Sequence, residues 1–286
     1  RREAPHVQDG DIVRVRMTVY PSRREPAQGV VEEILGHEGD VGIDVDLIVA
    51  RHKLETSFSE ETLEQVSHAE VEASRALAGD QYRDYTDRVV FTIDPDDAKD
   101  FDDALSLDTV GGLTRLGVHI ADVSHYVPWN SPADQEARRR ATSVYLVDRV
   151  IPMLPEKLSN DVCSLRPHEE RRAMSVDMLF DAAGDMVRVD IAPSVIKSCA
   201  RLTYGQVQAC LDAFAQGDDV AAYDAIAVQA GHAAPEVMER VAALDKVAKR
   251  LHADRVKRGG MDFESVEAKV RRDAEGRPLD VVLRTK

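Results

Sequence analysis

Cysteine is scarce in this 286-residue chain: only Cys163, Cys199 and Cys210, with no CxxC pair among them. That scarcity argues against a disulfide framework or a structural zinc site and predicts a reducing, cytoplasmic setting. No apolar run approaches the roughly 18 residues that a membrane-spanning helix needs. The opening Arg1-Arg2-Glu3-Ala4-Pro5 lacks the apolar stretch of a secretory signal. Internal repeats and low-complexity tracts are missing, and so is a phosphate-cradling GxxxxGK[ST] loop, which counts against an unrelated Mg²⁺ phosphotransferase. Positive charge is in deficit. The 37 Lys and Arg against 52 Asp and Glu leave a net charge of −15, which argues against a polyanionic partner. Core material is plentiful: 43% of residues are apolar, which rules out a disordered chain, and the length predicts roughly two domains.

The first segment reads as short strands. Asp11 to Val19 alternates apolar and polar residues, a turn follows at Pro21 to Pro26, and Gly29 to Leu35 is a second strand. The apolar run Ile43 to Val49 reads as a third strand of a small β-barrel entered partway through. Ser57 to Ala78 reads as one acidic helix opened by a capping box, Ser57-x-x-Glu60. Strands and helices then alternate. Val89 to Ile93 is a β-branched and aromatic strand. Hairpins are expected around Gly111-Gly112, around Ala183-Gly184-Asp185, and in a last pair from Glu267 to Lys286 turning at Glu275-Gly276. Thr203-x-x-Gln206 opens a helix with Val207, Leu211 and Phe214 on its inner face. Pro235 opens a longer helix with Val237, Val241, Leu244, Val247 and Leu251 on one face, stopped by Gly259-Gly260.

The sharpest local feature is an aspartate run. Asp94, Asp96, Asp97, Asp100, Asp102 and Asp103 fall within ten residues. Like charges at this density repel unless solvated or neutralised, so the run is either a solvated loop or a cation ligand set. Three details favour ligands. The run begins at the end of an apolar strand, where α/β sheets tend to place ligand groups. Pro95 turns the chain directly after Asp94. Phe101 interrupts the acids, which predicts that the loop folds back onto a core. Oxygen-only ligands suit Mg²⁺, with Mn²⁺ as the alternative. An EF-hand does not fit: with Asp94 as position 1, position 6 is Lys99 where glycine is needed and position 12 is Leu105 where glutamate is needed. Asp96-Asp97-x-x-Asp100 matches the DDxxD of prenyl-diphosphate synthases, but that motif belongs on a helix, and here a strand and a proline precede it.

The run Ile93-Asp94-x-x-Asp97-Ala98-Lys99-Asp100-Phe101-Asp102-Asp103-Ala104 closely resembles the signature of the RNB family, the ribonuclease II and ribonuclease R exoribonucleases. The resemblance continues through Gly117-Val118-His119-Ile120-Ala121-Asp122-Val123-Ser124-His125-Tyr126-Val127, then Ser143-Val144-Tyr145-Leu146 and Ile151-Pro152-Met153-Leu154-Pro155. Leu158-Ser159-Asn160 and Cys163-Ser164-Leu165 extend it. It implies an α+β (mixed α/β) RNB catalytic domain, partial, over 89–286. A helical linker at 57–88 and a partial OB-fold, cold-shock-like β-barrel at 1–56 would precede it.

The resemblance further implies a Mg²⁺-dependent 3′→5′ exoribonuclease releasing nucleoside 5′-monophosphates from single-stranded RNA. Asp94, Asp100, Asp102 and Asp103 match the four aspartates that hold the catalytic metal, and two cations about 4 Å apart would neutralise the phosphorane-like charge and activate water. Asp96 and Asp97 are not among the four, and read as loop solvation. Tyr145 matches the tyrosine that packs on the 3′-terminal nucleotide, although a half-buried strand tyrosine is the alternative. Tyr204 resembles a tyrosine near the RNA-selective part of the channel, or is structural beside its helix cap. Arg138-Arg139-Arg140 could contact phosphates or form a solvated helix face. His119 reads as a hydrogen-bonded structural histidine and Cys163 as core. The family's later catalytic motifs and its S1 RNA-binding domain do not occur in this sequence. The chain is therefore expected to be a fragment, impaired alone, with an exposed apolar face. No membrane partner and no oligomer are expected. The alternative function is a non-catalytic RNA-binding or scaffolding member of the same fold.

Overall fold

The structure, a computed structural model, describes residues 6–79, 81–263 and 265–285. In chain order the elements begin with β1 (Asp11–Val19), β2 (Gln28–His37), α1 (Ile43–His52), α2 (Glu60–Ser67), α3 (Ala73–Leu77), β3 (Arg83–Asp94), β4 (Asp103–Val110) and β5 (Leu113–Ala121). Next come α4 (Val123–Tyr126), α5 (Pro132–Arg140), β6 (Val144–Tyr145), β7 (Val150–Ile151), a π-helical turn at Leu158–Val162, β8 (Glu170–Phe180) and β9 (Met186–Thr203). The chain ends with α6 (Tyr204–Gln216), α7 (Asp219–Ala230), α8 (Ala234–Lys257), β10 (Val266–Arg272) and β11 (Pro278–Thr285). Two compact units result, one of 1–57, 140–153 and 262–286, the other of 58–139 and 154–261. Among the described residues no helix is long and apolar enough to cross a membrane.

In the first unit, β1 and β2 pair antiparallel with three register shifts, β6 pairs with β7, and β10 with β11. The expected third strand is instead α1. Gly42 enters it at φ 87°, Asp44 and Asp46 stand in its first turn, and Arg51 and His52 in its last. That charge placement suits the helix dipole and prevails over the β-branched run. The expected last hairpin forms, and its Lys286 lies outside the described residues.

The second unit is built on a closed barrel in the order β3-β4-β5-β8-β9. Both expected inner hairpins are present, β4–β5 and β8–β9, and a parallel β3–β9 pair contributes to the closure. Alternation divides β3: Phe91 packs outward against α6, α7 and α8, while Val90 belongs to an inner cluster with Ala104, Ala121, Ala173 and Ile196. The capping box at Thr203 and Gln206 forms as expected. Val207, Leu211 and Phe214 pack against the outer cluster, though Cys210 and Ala213 lie deeper. On α8, Val237 and Val241 are buried and Leu244 and Val247 partly so, but Leu251 reaches solvent. The outer faces of β5, β8 and β9 leave Ile120, Met174, Val189 and Ile191 exposed.

The single helix expected over Ser57 to Ala78 is two short ones. Its cap is Ser59, whose hydroxyl accepts from the Thr62 amide, and not Ser57. Arg172 on β8 donates to the carbonyls of Val71 (2.8 Å) and Glu72 (3.1 Å). Those carbonyls are satisfied by a tertiary contact, and Glu72 turns to φ 43°.

Inside the barrel a polar chain crosses from strand to strand. Ser194 Oγ donates to the Ala173 carbonyl at 3.3 Å. Ser175 Oγ must then donate to Ser194 (2.6 Å) and accept from His119 Nδ1 (2.6 Å), leaving Nε2 to accept from Ser106 (2.9 Å). Gly117 leaves room for this, because a Cβ there would collide with Ser106 Oγ and His119 Nε2. His119 is therefore the structural histidine the sequence implied, held neutral. Burial first, then the Arg88 charge, pushes its pKa down to about 4.

The unfolded chain takes up a proton near pH 6.5 and the folded one does not. Stability is full above about pH 6.5 and drains away as pH falls toward 4, by about 3 kcal/mol in all. Between pH 6.5 and 4.5 the urea-unfolding free energy should fall about 2 kcal/mol more for the wild type than for His119→Gln. Equal slopes for the two proteins would contradict this account.

Candidate active site

Asp94 is the last residue of β3, and its parallel partner on the neighbouring strand β9 is Thr203, the residue that caps α6. Thr92 and Asp94 face the same side two residues apart, both buried. The chain then turns at Pro95, where the Ala98 amide donates to the Pro95 carbonyl at 3.2 Å, and returns as β4 at Asp103.

This acidic loop is gripped at four points. Arg201 Nη2 on β9 donates to the carbonyls of Pro95 and Asp96. The buried Ser164 hydroxyl donates to the Lys99 carbonyl (3.1 Å) and accepts from the Phe101 amide (3.0 Å). The Leu165 amide donates to the Phe101 carbonyl, and the Ala121 amide to the Asp102 carbonyl, both at 2.9 Å. Phe101 packs partly buried on the inner core, as its place among the acids predicted. The loop is thus held through its backbone, and its carboxylates are left to the site.

Asp94 and Asp102 are perturbed upward. For Asp94 the main cause is burial, with the Asp103 and Asp100 charges adding to it and Arg201 opposing. Thr92 lies near enough to favour the charged form of Asp94. Even so, among the described residues neither Thr92 Oγ1 nor Asp94 Oδ2 closes a hydrogen bond, and both atoms are buried. Asp102 reaches solvent but is crowded by surrounding protein, and this, with Asp100, Asp103 and Asp94, raises its pKa. Among the described residues no three His, Cys, Asp or Glu side chains form a finished cation cage. The aspartates are nonetheless close enough to repel one another, and a buried carboxylate oxygen without a partner is the kind of donor a hard cation satisfies. The donor set fits Mg²⁺ or Mn²⁺ in this respect.

Tyr204 opens α6 immediately after Thr203, at the same edge of the barrel as Asp94, and is 61% exposed. Tyr145 lies on β6 in the unit that does not carry the aspartates, and is exposed. Arg138 lies over the Trp129 ring at 4.1 Å, while Arg140 donates to the Glu55 and Ser57 carbonyls, an anchoring role within the protein. Cys163 is buried in the inner core, as expected. Sequence reasoning missed Arg201 and Ser164. The available signal for Arg201 was a lone cation between the apolar Ala200 and Leu202 on a strand leading to Tyr204.

Residues 82–286 match the RNB domain family, and residues 1–59 match a cold shock domain family. The chain belongs to the RNB family. Ribonuclease R 2 of Lactococcus lactis is 40% identical over 97% of this chain and 40% of that protein. The apo form of Mycoplasma genitalium RNase R superposes with a TM-score of 0.82 at 25% identity, over 97% of this chain and 41% of that one. The same enzyme in complex with ribose-methylated single-stranded RNA gives a TM-score of 0.76 at 26% identity, over 90% of this chain and 38% of that one. This RNB chain therefore spans about 40% of the length of the curated relative named here. Its mixed α/β fold is that of the family.

Proposed function

We propose that this RNB chain carries the metal-binding aspartates of a 3′→5′ exoribonuclease that shortens single-stranded RNA by one nucleoside 5′-monophosphate at a time. The observation that carries the reading is the buried Asp94 Oδ2, without a hydrogen-bond partner among the described residues and set among mutually repelling carboxylates at the barrel edge, in a chain of this family. Asp94, Asp100, Asp102 and Asp103 would hold Mg²⁺, or Mn²⁺. When bound, the cations supply Lewis-acid stabilisation of the phosphoryl oxygens and a nucleophilic water.

The reaction itself is a hydrolysis. Water adds to the last phosphodiester, the bond from phosphorus to the 3′ oxygen of the preceding nucleotide breaks, and that oxygen takes the proton. The protein's part is to hold four carboxylates on a loop fixed through its backbone, so that little reorganisation accompanies charge development. Tyr204, exposed beside Asp94, offers an aromatic face or a hydroxyl to the RNA near the scissile bond. Tyr145, exposed on β6, would offer an aromatic face for base stacking, which is worth about 1–3 kcal/mol per base without sequence preference. Three free cysteines, two of them buried, accord with work in a reducing cytoplasm.

The test uses 5′-labelled and 3′-labelled single-stranded RNA with Mg²⁺. Both the 286-residue chain and the longest natural polypeptide that contains it are assayed. Stepwise release of mononucleotides from the 3′ end by either protein, lost in Asp103→Asn and on adding EDTA, supports the proposal. Internal cleavage ladders, or RNA binding without turnover in both proteins, would overturn it.

A further inference from the structure

Arg201 occupies an unusual position. On β9 its neighbours Ala200 and Leu202 are buried against the helices, so Arg201 points the other way, and the parallel register sets it beside Thr92. Its guanidinium reaches over the turn that follows Asp94. Nη2 donates to two backbone carbonyls, those of Pro95 and of Asp96 (3.1 Å), and the Pro95 carbonyl also receives the Ala98 amide. The centroid of the Phe101 ring lies 5.4 Å from its Cζ, and its buried Nε has no hydrogen-bond partner among the described residues. The turn it holds belongs to the aspartate run, yet among the described residues Arg201 forms an ion pair with none of the signature four. The distinction matters chemically. An arginine salt-bridged to a carboxylate would take the oxygens a cation needs. An arginine held by peptide carbonyls contributes positive charge to the cluster and leaves those oxygens available.

We propose that Arg201 is a positioning residue for the aspartate cluster: by pinning the Pro95–Ala98 turn through its backbone, it fixes where Asp94 and Asp100 stand relative to each other before any cation binds. The metal-binding part of this inference rests on the exoribonuclease reading, whereas the pinning part stands without it. Lysine at this position keeps the charge but lacks the planar fork, and glutamine keeps two donors on a shorter stem without the charge. Neither replaces both functions.

The test compares wild type, Arg201→Lys and Arg201→Gln. Amide hydrogen exchange of the 96–101 segment is followed without metal in the 286-residue chain, and Mn²⁺ binding is followed by electron paramagnetic resonance. Both variants should lose about 10-fold in protection confined to that segment and bind Mn²⁺ about 10- to 100-fold more weakly, the usual cost of disturbing a residue that orients metal ligands. In the active polypeptide, kcat should fall by a similar factor with KM changed less than about twofold. Unchanged protection in both variants would overturn the inference, and so would losses that spread equally through β4 and β5, which mark a structural role only. A wild-type chain that binds no Mn²⁺ would instead end the metal reading, and the metal-free exchange comparison would still decide whether Arg201 fixes the loop.

Discussion

Asp94→Asn is expected to slow RNA hydrolysis by about 10³-fold or more, and in the same protein to raise the resistance to urea at neutral pH. The rate loss corresponds to about 4 kcal/mol of transition-state stabilisation, a reasonable share for one charged ligand of the proposed metal site. The gain in stability follows from the environment of the side chain. Burial, with Asp103 and Asp100 nearby, raises the pKa of Asp94, so its ionised form costs the folded state free energy at pH 7. Asparagine is nearly isosteric and uncharged, and removes that cost. The benefit is present above the raised folded pKa and vanishes below the ordinary carboxylate range, where aspartate is protonated both folded and unfolded. Urea midpoints at pH 7.5 and pH 3.5 check this: the variant should lead at the first and match the wild type at the second. An asparagine variant less stable than wild type at pH 7.5 would show that Asp94 is there for the fold. The expected pattern is a site whose chemistry is maintained against stability.

Asp177→Ala is expected to cost the barrel about 3–5 kcal/mol, the usual price of stranding one member of a buried ion pair. Asp177 on β8 receives Arg88 through both carboxylate oxygens, at 2.8 and 3.1 Å, and the Tyr85 hydroxyl at 2.8 Å. Arg88 in turn lies 3.3 Å from the centroid of the Tyr85 ring, and Tyr85 meets His119 edge-on at 6.0 Å. Burial alone would raise the Asp177 pKa, but the Arg88 and Tyr85 hydrogen bonds outweigh it and hold the carboxylate below its ordinary range. Alanine leaves the guanidinium and the phenol without their acceptor. The double variant Arg88→Met with Asp177→Leu removes both charges and should recover most of the loss. A urea-unfolding double-mutant cycle reads the coupling. Additive effects of the two single changes would mean that the pair does not act as one unit.

Much of the barrel was legible in the sequence because its strands obey a local rule. The hairpins about Gly111-Gly112 and Ala183-Gly184-Asp185 alternate cleanly and turn on glycine, so position predicted partner. The misreadings came where end charges or distant groups decide. Helix α1 looked like a strand because its β-branched run outweighed the charges at its ends, and the 57–78 helix breaks where Arg172, a hundred residues later, claims the Val71 and Glu72 carbonyls. The site divides in the same way. Its carboxylates were readable as a run of one residue type. Arg201 and Ser164, which hold the backbone beneath them, were not, because what each does depends on loop backbone that lies 63 to 106 residues away in sequence.

The pairing of Asp94 with Thr203 carries a consequence for how the molecule comes into being. During synthesis the aspartate run emerges well before β9, because 105 residues separate Asp96 from Arg201, so neither that pair nor the Arg201 clamp can form until β9 has followed. Closing so long a loop is slow, and it comes only after the local hairpins are available. The aspartate cluster is thereby fixed late, only once β9 has docked on β3.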